Sequence, residues 1–454
     1  SAIGIGIING SNNQIIGNYV GTNASGTSAV ANNFGISIEG GDNIVGGQGT
    51  GSRNIISGNG TGLEIRNSAT ISTVVIGNYI GLNATGTAAI PNDTGIFLTS
   101  TSTNSVIGGT NVLDRNIISG NSSFGISVRG SAHNIKNNYI GLNPDGTSAI
   151  PNGVGISFFG TSSNSNIGGI TAAERNIISG NSNIGIDVSG TSHVIKNNYI
   201  GLNPAGTVVI KNNNVGMRLV GTLTNTQISE NTISGNGTVS SSARNVEFGS
   251  ANGVQFFSNK VGTLPDGNTV VSNIGLGMLI NNSSNNTIGG ASDLEANIIG
   301  NHNLSGVQIV FSSSNNILSY NKIGIGLDGT STIGNGLYGV VITGTNTGNM
   351  IVNNTIANNQ KGVVLDPALG IPTQVTISEN SMFNNAVFGI DLIGATVNDA
   401  DDADTGVNNL QNTPEITMVN PLGGNALEIT YAVPSSLANS AYPLTIEFFG
   451  AVNG

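Results

Sequence analysis

The 454-residue chain has no cysteine and no tryptophan, only 8% of its residues are charged, and lysine and arginine together number 13. The missing cysteine excludes disulfides and thiolate-ligated metals. It does not place the protein inside or outside a cell. With 24 acidic residues, the net charge of −11 argues against nucleic acid or an anionic membrane as partner. No apolar run approaches the ~18 residues of a membrane-spanning helix. The chain starts at Ser1, inside a repeat and without Met or a signal peptide, and reads as a processed or partial product of a longer precursor.

Glycine, by contrast, is abundant at 68 residues, and Asn, Ser and Thr fill most of the polar positions. Small residues and turn formers suit corners, while alternating Ile, Val and Leu suit short strands with one buried side. That alternation also argues against disorder.

One stretch organises the chain. Arg115 to Asn152, RNIISGNSSFGISVRGSAHNIKNNYIGLNPDGTSAIPN, recurs sixty residues later as RNIISGNSNIGIDVSGTSHVIKNNYIGLNPAGTVVIKN, from Arg175 to Asn212. Parts of it also appear sixty residues earlier, between Arg53 and Asn92. A fixed period marks stacked supersecondary units, none of which can bury its apolar side alone. Short alternating strands, usually opened by a glycine such as Gly125, Gly155 or Gly185, form one landmark. The other is an Asn two residues before an aliphatic or Phe: Asn18, Asn54, Asn78, Asn116, Asn138, Asn176, Asn198, Asn231, Asn259, Asn297, Asn321, Asn354 and Asn380.

Gaps between these asparagines run mostly long (33 to 38 residues) and short (22 to 28) in turn. About 22 residues make one turn of a parallel β-helix, with three short strands and three corners, so sixty residues are two turns. The longer gaps carry inserts. One is GLNPDGTSAIPN, with the turn signal Pro144-Asp145-Gly146. The other, IGGTNVLDR or IGGITAAER, is expected to hold a single helical turn. Asn tolerates the left-handed backbone of a sharp corner, and stacked Asn amides can form a ladder. Ile126 with Val128, Ile156 with Phe158, and Ile186 with Val188 should form continuous inward columns. The spacing predicts an all-β fold: a parallel β-helix of about 14 turns over residues 1–397. An acidic linker follows at 398–413, then the start of a β-sandwich-like module at 414–454.

The RNIISGN, NNYIGLN and GI-x-V-x-G strings make residues 1 to 397 resemble the right-handed parallel β-helix repeat proteins of bacterial surfaces and secretions, of pectin-lyase-like type. DADTGVNNLQNTP, from Asp402 to Pro414, is similar to the junction by which such proteins pass into a C-terminal β-sandwich. The resemblance implies export and an extracellular or cell-surface role. It implies no single activity, because the coil serves pectin and alginate lyases, polygalacturonase-like hydrolases, phage tailspikes and adhesins.

Enzymes of this kind place catalytic groups on outward positions of one sheet. Asp187, Arg218 and Glu247 fall there on three successive turns. The two carboxylates would stand roughly 9.6 Å apart, at the wide edge of the inverting glycosidase range. The arginine could meet the carboxylate of an acidic sugar. The structural alternative is an ion ladder that keeps like charges from stacking. Lyases of this fold gather several Asp with Lys or Arg, and that cluster is missing here. Phe97 and Phe159 could serve as stacking platforms for a carbohydrate-binding module.

His133 and His193 occupy equivalent corner places without carboxylates at metal-ligand spacing, and read as surface residues. His302 is isolated. Asp399, Asp401, Asp402 and Asp404, followed by Gly406 and Asn408, offer the hard oxygen ligands that Ca²⁺ requires. Otherwise the segment is a solvated acidic linker. Leu279, Val310, Val341, Val364 and Ile393 form an outward apolar stripe, to be covered by the C-terminal module or by another protein. Triplets of the N-x-S/T kind, such as the one at Asn121, are expected by chance in this composition.

Uniform rungs and the lack of a carboxylate or basic cluster favour a non-enzymatic extracellular solenoid: structural, adhesive or fibre-forming, self-associating or bound to neighbouring surface proteins. The alternatives are a polysaccharide lyase or hydrolase acting on acidic polysaccharide, and a carbohydrate-binding module.

Overall fold

The computed structural model describes residues 2–49, 51–66, 72–239, 243–394, 398–424, 426–440 and 444–448. The chain is a parallel β-solenoid with three strands per turn, each bonded to its equivalents above and below. Phe124–Val128, Val154–Phe158 and Ile184–Val188 belong to the first face. Asn134–Ile135, Asn166–Gly168 and Val194–Lys196 belong to the second, and Tyr139–Ile140, Ile177–Ile178 and Tyr199–Ile200 to the third. Among the described residues the third face carries thirteen strands and the first fourteen, the last of them Phe388–Leu392. The rod thus has about thirteen turns, close to the number that the landmarks suggest. At ~4.8 Å per turn it is about 60 Å long.

Inward positions alternate strictly. Ile126, Ile156 and Ile186 stack in register, as do Val128 and Phe158, and with Val188 all are buried. Each such side chain contributes roughly 2 kcal/mol of apolar burial. The inserts add local structure: single 3₁₀ turns at Val112–Asp114, Ala172–Glu174 and Asp293–Glu295.

All thirteen landmark asparagines form one continuous amide ladder between the second and third faces, Nδ2 to Oδ1 at 2.8–3.1 Å. Their own backbones are not left-handed. Where the corner is tight, the residue before the Asn takes positive φ: Gly17, Gly77, Asn137, Asn197, Glu230, Ser258, Tyr320, Asn353 and Glu379. The preceding residue makes the bend, which leaves the Asn free to aim its amide along the axis.

A second ladder, not anticipated from the sequence, joins the third face to the first. It runs through Asn32, Asn59, Asn92, Asn121, Asn152, Asn181, Asn212, Asn236 and Asn245. His302 then continues it. Asn245 Nδ2 donates to His302 Nε2 at 3.0 Å, and His302 Nδ1 donates to Asn335 Oδ1 at 3.0 Å. Asn359 and Asn385 follow.

The other two histidines are not surface residues. His133 and His193 are fully buried at the corner between the first and second faces. Nδ1 of His133 accepts the Ser105 amide at 3.2 Å, so Nε2 carries the proton toward Ser102 Oγ at 3.3 Å. His193 repeats this with Ser165 and Ser162. A neutral imidazole spans the corner as an Asn amide does elsewhere. Its burial pulls each ring, His302 included, down to a pKa of about 4.

Over its upper half the outer side of the third face is covered by the GLN inserts. Tyr79, Tyr139 and Tyr199 alternate with Ile55, Ile117 and Ile177, and pack under Leu82, Leu142 and Leu202 of those loops. Arg53, Arg115 and Arg175 lie over the three tyrosine rings at 4.0, 4.1 and 3.9 Å. Each insert closes with a turn like that at Gly146, whose φ is +68° and whose N–H donates to Asn143 O at 2.9 Å.

At the lower end, Val407 enters the core and Asn408 bonds both ways to the Val375 backbone, at 2.8 and 3.1 Å. The acidic segment thus plugs the last turn. Beyond it, Glu415–Gly423 and Ala426–Ala432 pair antiparallel. Of the expected third run, residues 444–448 form no strand; its remainder and the expected boundary at residue 397 lie outside the described residues. Among the described residues no helix is long and apolar enough to cross a membrane.

Candidate functional site

With much of the third face covered by inserts, the outer side of the first face offers a long run of stacked outward positions. Its central outward column stacks in register as Ser37, Glu64, Phe97, Ser127, Ser157, Asp187, Arg218, Glu247, Leu279, Gln308, Val341, Val364 and Asp391. Parallel strands in register stack each side chain directly over the next. Residues far apart in sequence thereby become neighbours.

Asp187, Arg218 and Glu247 are brought together on three successive turns. Arg218 grips Asp187 with a two-pronged contact, Nε to Oδ1 at 2.9 Å and Nη2 to Oδ2 at 2.6 Å. That bond holds the guanidinium above its ordinary pKa against the opposing pull of burial. Glu247 is held differently, by a looser 3.6 Å contact with Arg244. Asp187 is thus locked in place, and Glu247 is the freer carboxylate. All three are half-buried and open to a ligand on one side.

Immediately above them lies a cluster of another kind. Arg129 is exposed and sits between two rings, 5.4 Å from the centre of Phe97 and 4.8 Å from that of Phe159. Phe124 meets Phe159 edge to face at 6.0 Å, and Ser127 and Ser157 are buried among them. Elsewhere on this face the cations are ion-paired: Arg66 with Glu64 at 2.7 Å, Arg218 with Asp187, Arg244 with Glu247, and Lys361 with Asp391 at 2.5 Å.

Deeper concavities lie elsewhere. One of about 250 Å³ on the second face lies between Lys136 and Lys196, which are paired with Glu174 and Glu230 at 3.2 and 3.1 Å. Another, of about 490 Å³, lies between the last turn and the C-terminal segment, lined by Met382, Ile390, Pro414 and Ile446. Neither brings together a free cation and a carboxylate pair.

The apolar stripe is not exposed. Leu279, Val310, Val341 and Val364 are buried, and Ile393 is half-buried. Val341 stacks directly on Val364. Outward side chains ~4.8 Å apart shield one another from above and below. Of the acidic run, Asp399, Asp402 and Asp404 place carboxylate oxygens within 4.8 Å of one another, and Asp401 stays outside the group. Asp402 accepts from the Asn412 amide at 2.7 Å and from Ser440 Oγ at 2.8 Å, while Asp404 Oδ1 is buried with no hydrogen-bond partner.

No family model matches the chain. Solved structures with a similar course include the A-module of a mannuronan C-5 epimerase from Azotobacter vinelandii, at 13% identity and TM-score 0.37, covering 86% of this chain and 91% of that one. A periplasmic alginate epimerase matches at 15% identity and TM-score 0.46, over 78% and 76%. The enzymatically active domain of tailspike protein 2 from bacteriophage CBA120 matches at 13% and 0.38, over 84% and 54%. The chain has the parallel β-solenoid fold that its repeats suggest. The names of these structures, epimerases and an enzymatically active domain, run against the expectation of a non-enzymatic structural or adhesive solenoid. At such identities the likeness describes the fold alone.

Proposed function

We propose that this protein hydrolyses an acidic polysaccharide laid along the outer side of the first face. The observation that carries the reading is the Asp187–Arg218–Glu247 stack, two carboxylates two turns apart with an arginine between them. Two turns are about 9.6 Å, at the wide edge of the carboxylate separation used in inverting hydrolysis, and the water and the sugar would lie on the open side of the stack, outside the Arg218 guanidinium. Asp187, fixed by Arg218, takes a proton from the water as its oxygen attacks the anomeric carbon. The glycosidic C–O bond breaks, and the leaving oxygen takes a proton from Glu247, which must enter this step as the neutral acid with its 3.6 Å contact to Arg244 released. An extracellular or cell-surface location belongs to this reading, since such polymers are met there.

The test is to incubate the protein with polygalacturonate, alginate and hyaluronate and assay new reducing ends, with the absorbance of unsaturated uronate products separating elimination from hydrolysis. Asp187→Asn and Glu247→Gln should each lower the rate at least about a hundredfold. Reducing ends that fail to appear, or that appear equally with both variants, overturn the proposal.

Calcium at Asp399, Asp402 and Asp404 forms a second part of the proposal. Its support is the grouped carboxylates and the unpartnered Asp404 Oδ1 beside them. The ion would brace the segment that plugs the coil and would take no part in the reaction.

A further inference from the structure

The mechanism above leaves Arg129 unused. Its guanidinium is exposed and has no carboxylate partner. Every other arginine or lysine on this face is ion-paired among the described residues. Arg129 is instead held between the rings of Phe97, one turn above, and Phe159, one turn below. Cation–π contact fixes the planar group without neutralising it, so its N–H fork stays available.

Position matters as much as charge. Phe97, Arg129, Phe159, Asp187, Arg218 and Glu247 occupy six consecutive turns of one face. The spacing between turns is ~4.8 Å, close to the length of one pyranose residue. A sugar chain lying along the axis would present about one unit per turn. A unit seated at Arg129 would lie two turns from Asp187.

We infer that Arg129, with Phe97, Phe124 and Phe159, is an anchoring subsite that binds the carboxylate of a uronic acid unit two sugars from the bond that is cut. This rests on the reading of the first face as the substrate track. The guanidinium forms paired hydrogen bonds to the sugar carboxylate. The half-exposed phenylalanine rings take the C–H-rich side of the sugar ring. Asp187 and Glu247 then work on a chain whose register is already set. Arg129 is a positioning residue, since it touches substrate remote from the reacting atoms.

The experiment measures binding by calorimetry on the Glu247→Gln protein, which leaves the ligand intact. The probes are galacturonate oligomers and the same oligomers with their carboxyl groups reduced. Adding Arg129→Ala should weaken the acidic oligomer about tenfold to a hundredfold and leave the reduced oligomer unchanged. Arg129→Lys should recover part of the loss, because it restores charge without the fork. Melting temperature is recorded for every variant, and an exposed side chain should leave it unmoved.

Equal affinity with and without Arg129, equal weakening for both oligomers, or no binding of the acidic oligomer overturns the inference. The two proposals fail separately. Charge-selective loss at Arg129→Ala without any release of reducing ends by the unaltered protein keeps the anchor and removes hydrolysis. Reducing ends released at an unchanged KM by Arg129→Ala remove the anchor alone.

Discussion

The three buried histidines should make this protein acid-sensitive well above the range in which carboxylates titrate. His133, His193 and His302 each sit near a pKa of about 4 in the folded state, with burial as the main cause. In the unfolded chain they return to ~6.5. Between those values the unfolded state binds protons that the folded state refuses, so stability rises with pH across the window and falls as the medium is acidified. Their contribution is fully present above ~6.5 and lost progressively toward ~4. From pH 7 to pH 5, one ring loses about 2 kcal/mol and three together about 5 to 6 kcal/mol. The carboxylates held low, Asp266, Glu174 and Asp328, act in the same direction but mainly below this window.

The perturbation that isolates one ring is His302→Gln. Its amide can still donate to Asn335 Oδ1 and accept from Asn245 Nδ2, as the imidazole does. It cannot titrate. Urea unfolding followed by far-UV circular dichroism, since there is no tryptophan to report, should give a pH 7 to pH 5 loss smaller by about 2 kcal/mol than in the unaltered chain. An identical pH slope in the two proteins would refute the reasoning, because it would mean that His302 is not held neutral by burial.

Further outcomes can be checked alongside. Asn116→Ala removes the acceptor of Asn78 and the donor to Asn138 within a buried ladder, and should cost about 2 to 4 kcal/mol in urea unfolding. Val364→Asp introduces a carboxylate at a fully buried position; a loss of at least about 3 kcal/mol or failure to fold is expected, and an unchanged melting temperature would show the stripe to be open. Adding Ca²⁺ should raise the melting temperature and release heat in titration calorimetry. Asp402→Asn should abolish both effects, and a silent titration of the unaltered protein would end the calcium proposal.

Much of the fold is legible in the chain because stacking converts sequence period directly into spatial register. The sixty-residue repeat, the glycine near the start of most first-face strands and the Asn two residues before an aliphatic determine the parallel solenoid, its inward columns and the outward alignment of Asp187 with Arg218 and Glu247. The second ladder could have been found from the Asn three or four residues ahead of strand glycines, as at Asn92 before Gly95 and Asn121 before Gly125. It was obscured by an Asn-rich background in which spacing stands out weakly.

What the tertiary structure alone decided concerns burial. His133 and His193 look like polar surface residues in one dimension, yet a corner closed from above and below leaves them no water. Val341 and Val364 look exposed because a strand has two sides, yet neighbours ~4.8 Å away remove solvent from the outer side as well. Arg129 reads as one of several outward charges. Only the rings of Phe97 and Phe159 above and below it, with no carboxylate at hand, distinguish it from the paired arginines. Period is a property of the chain, whereas burial and pairing depend on what the adjacent turns bring alongside.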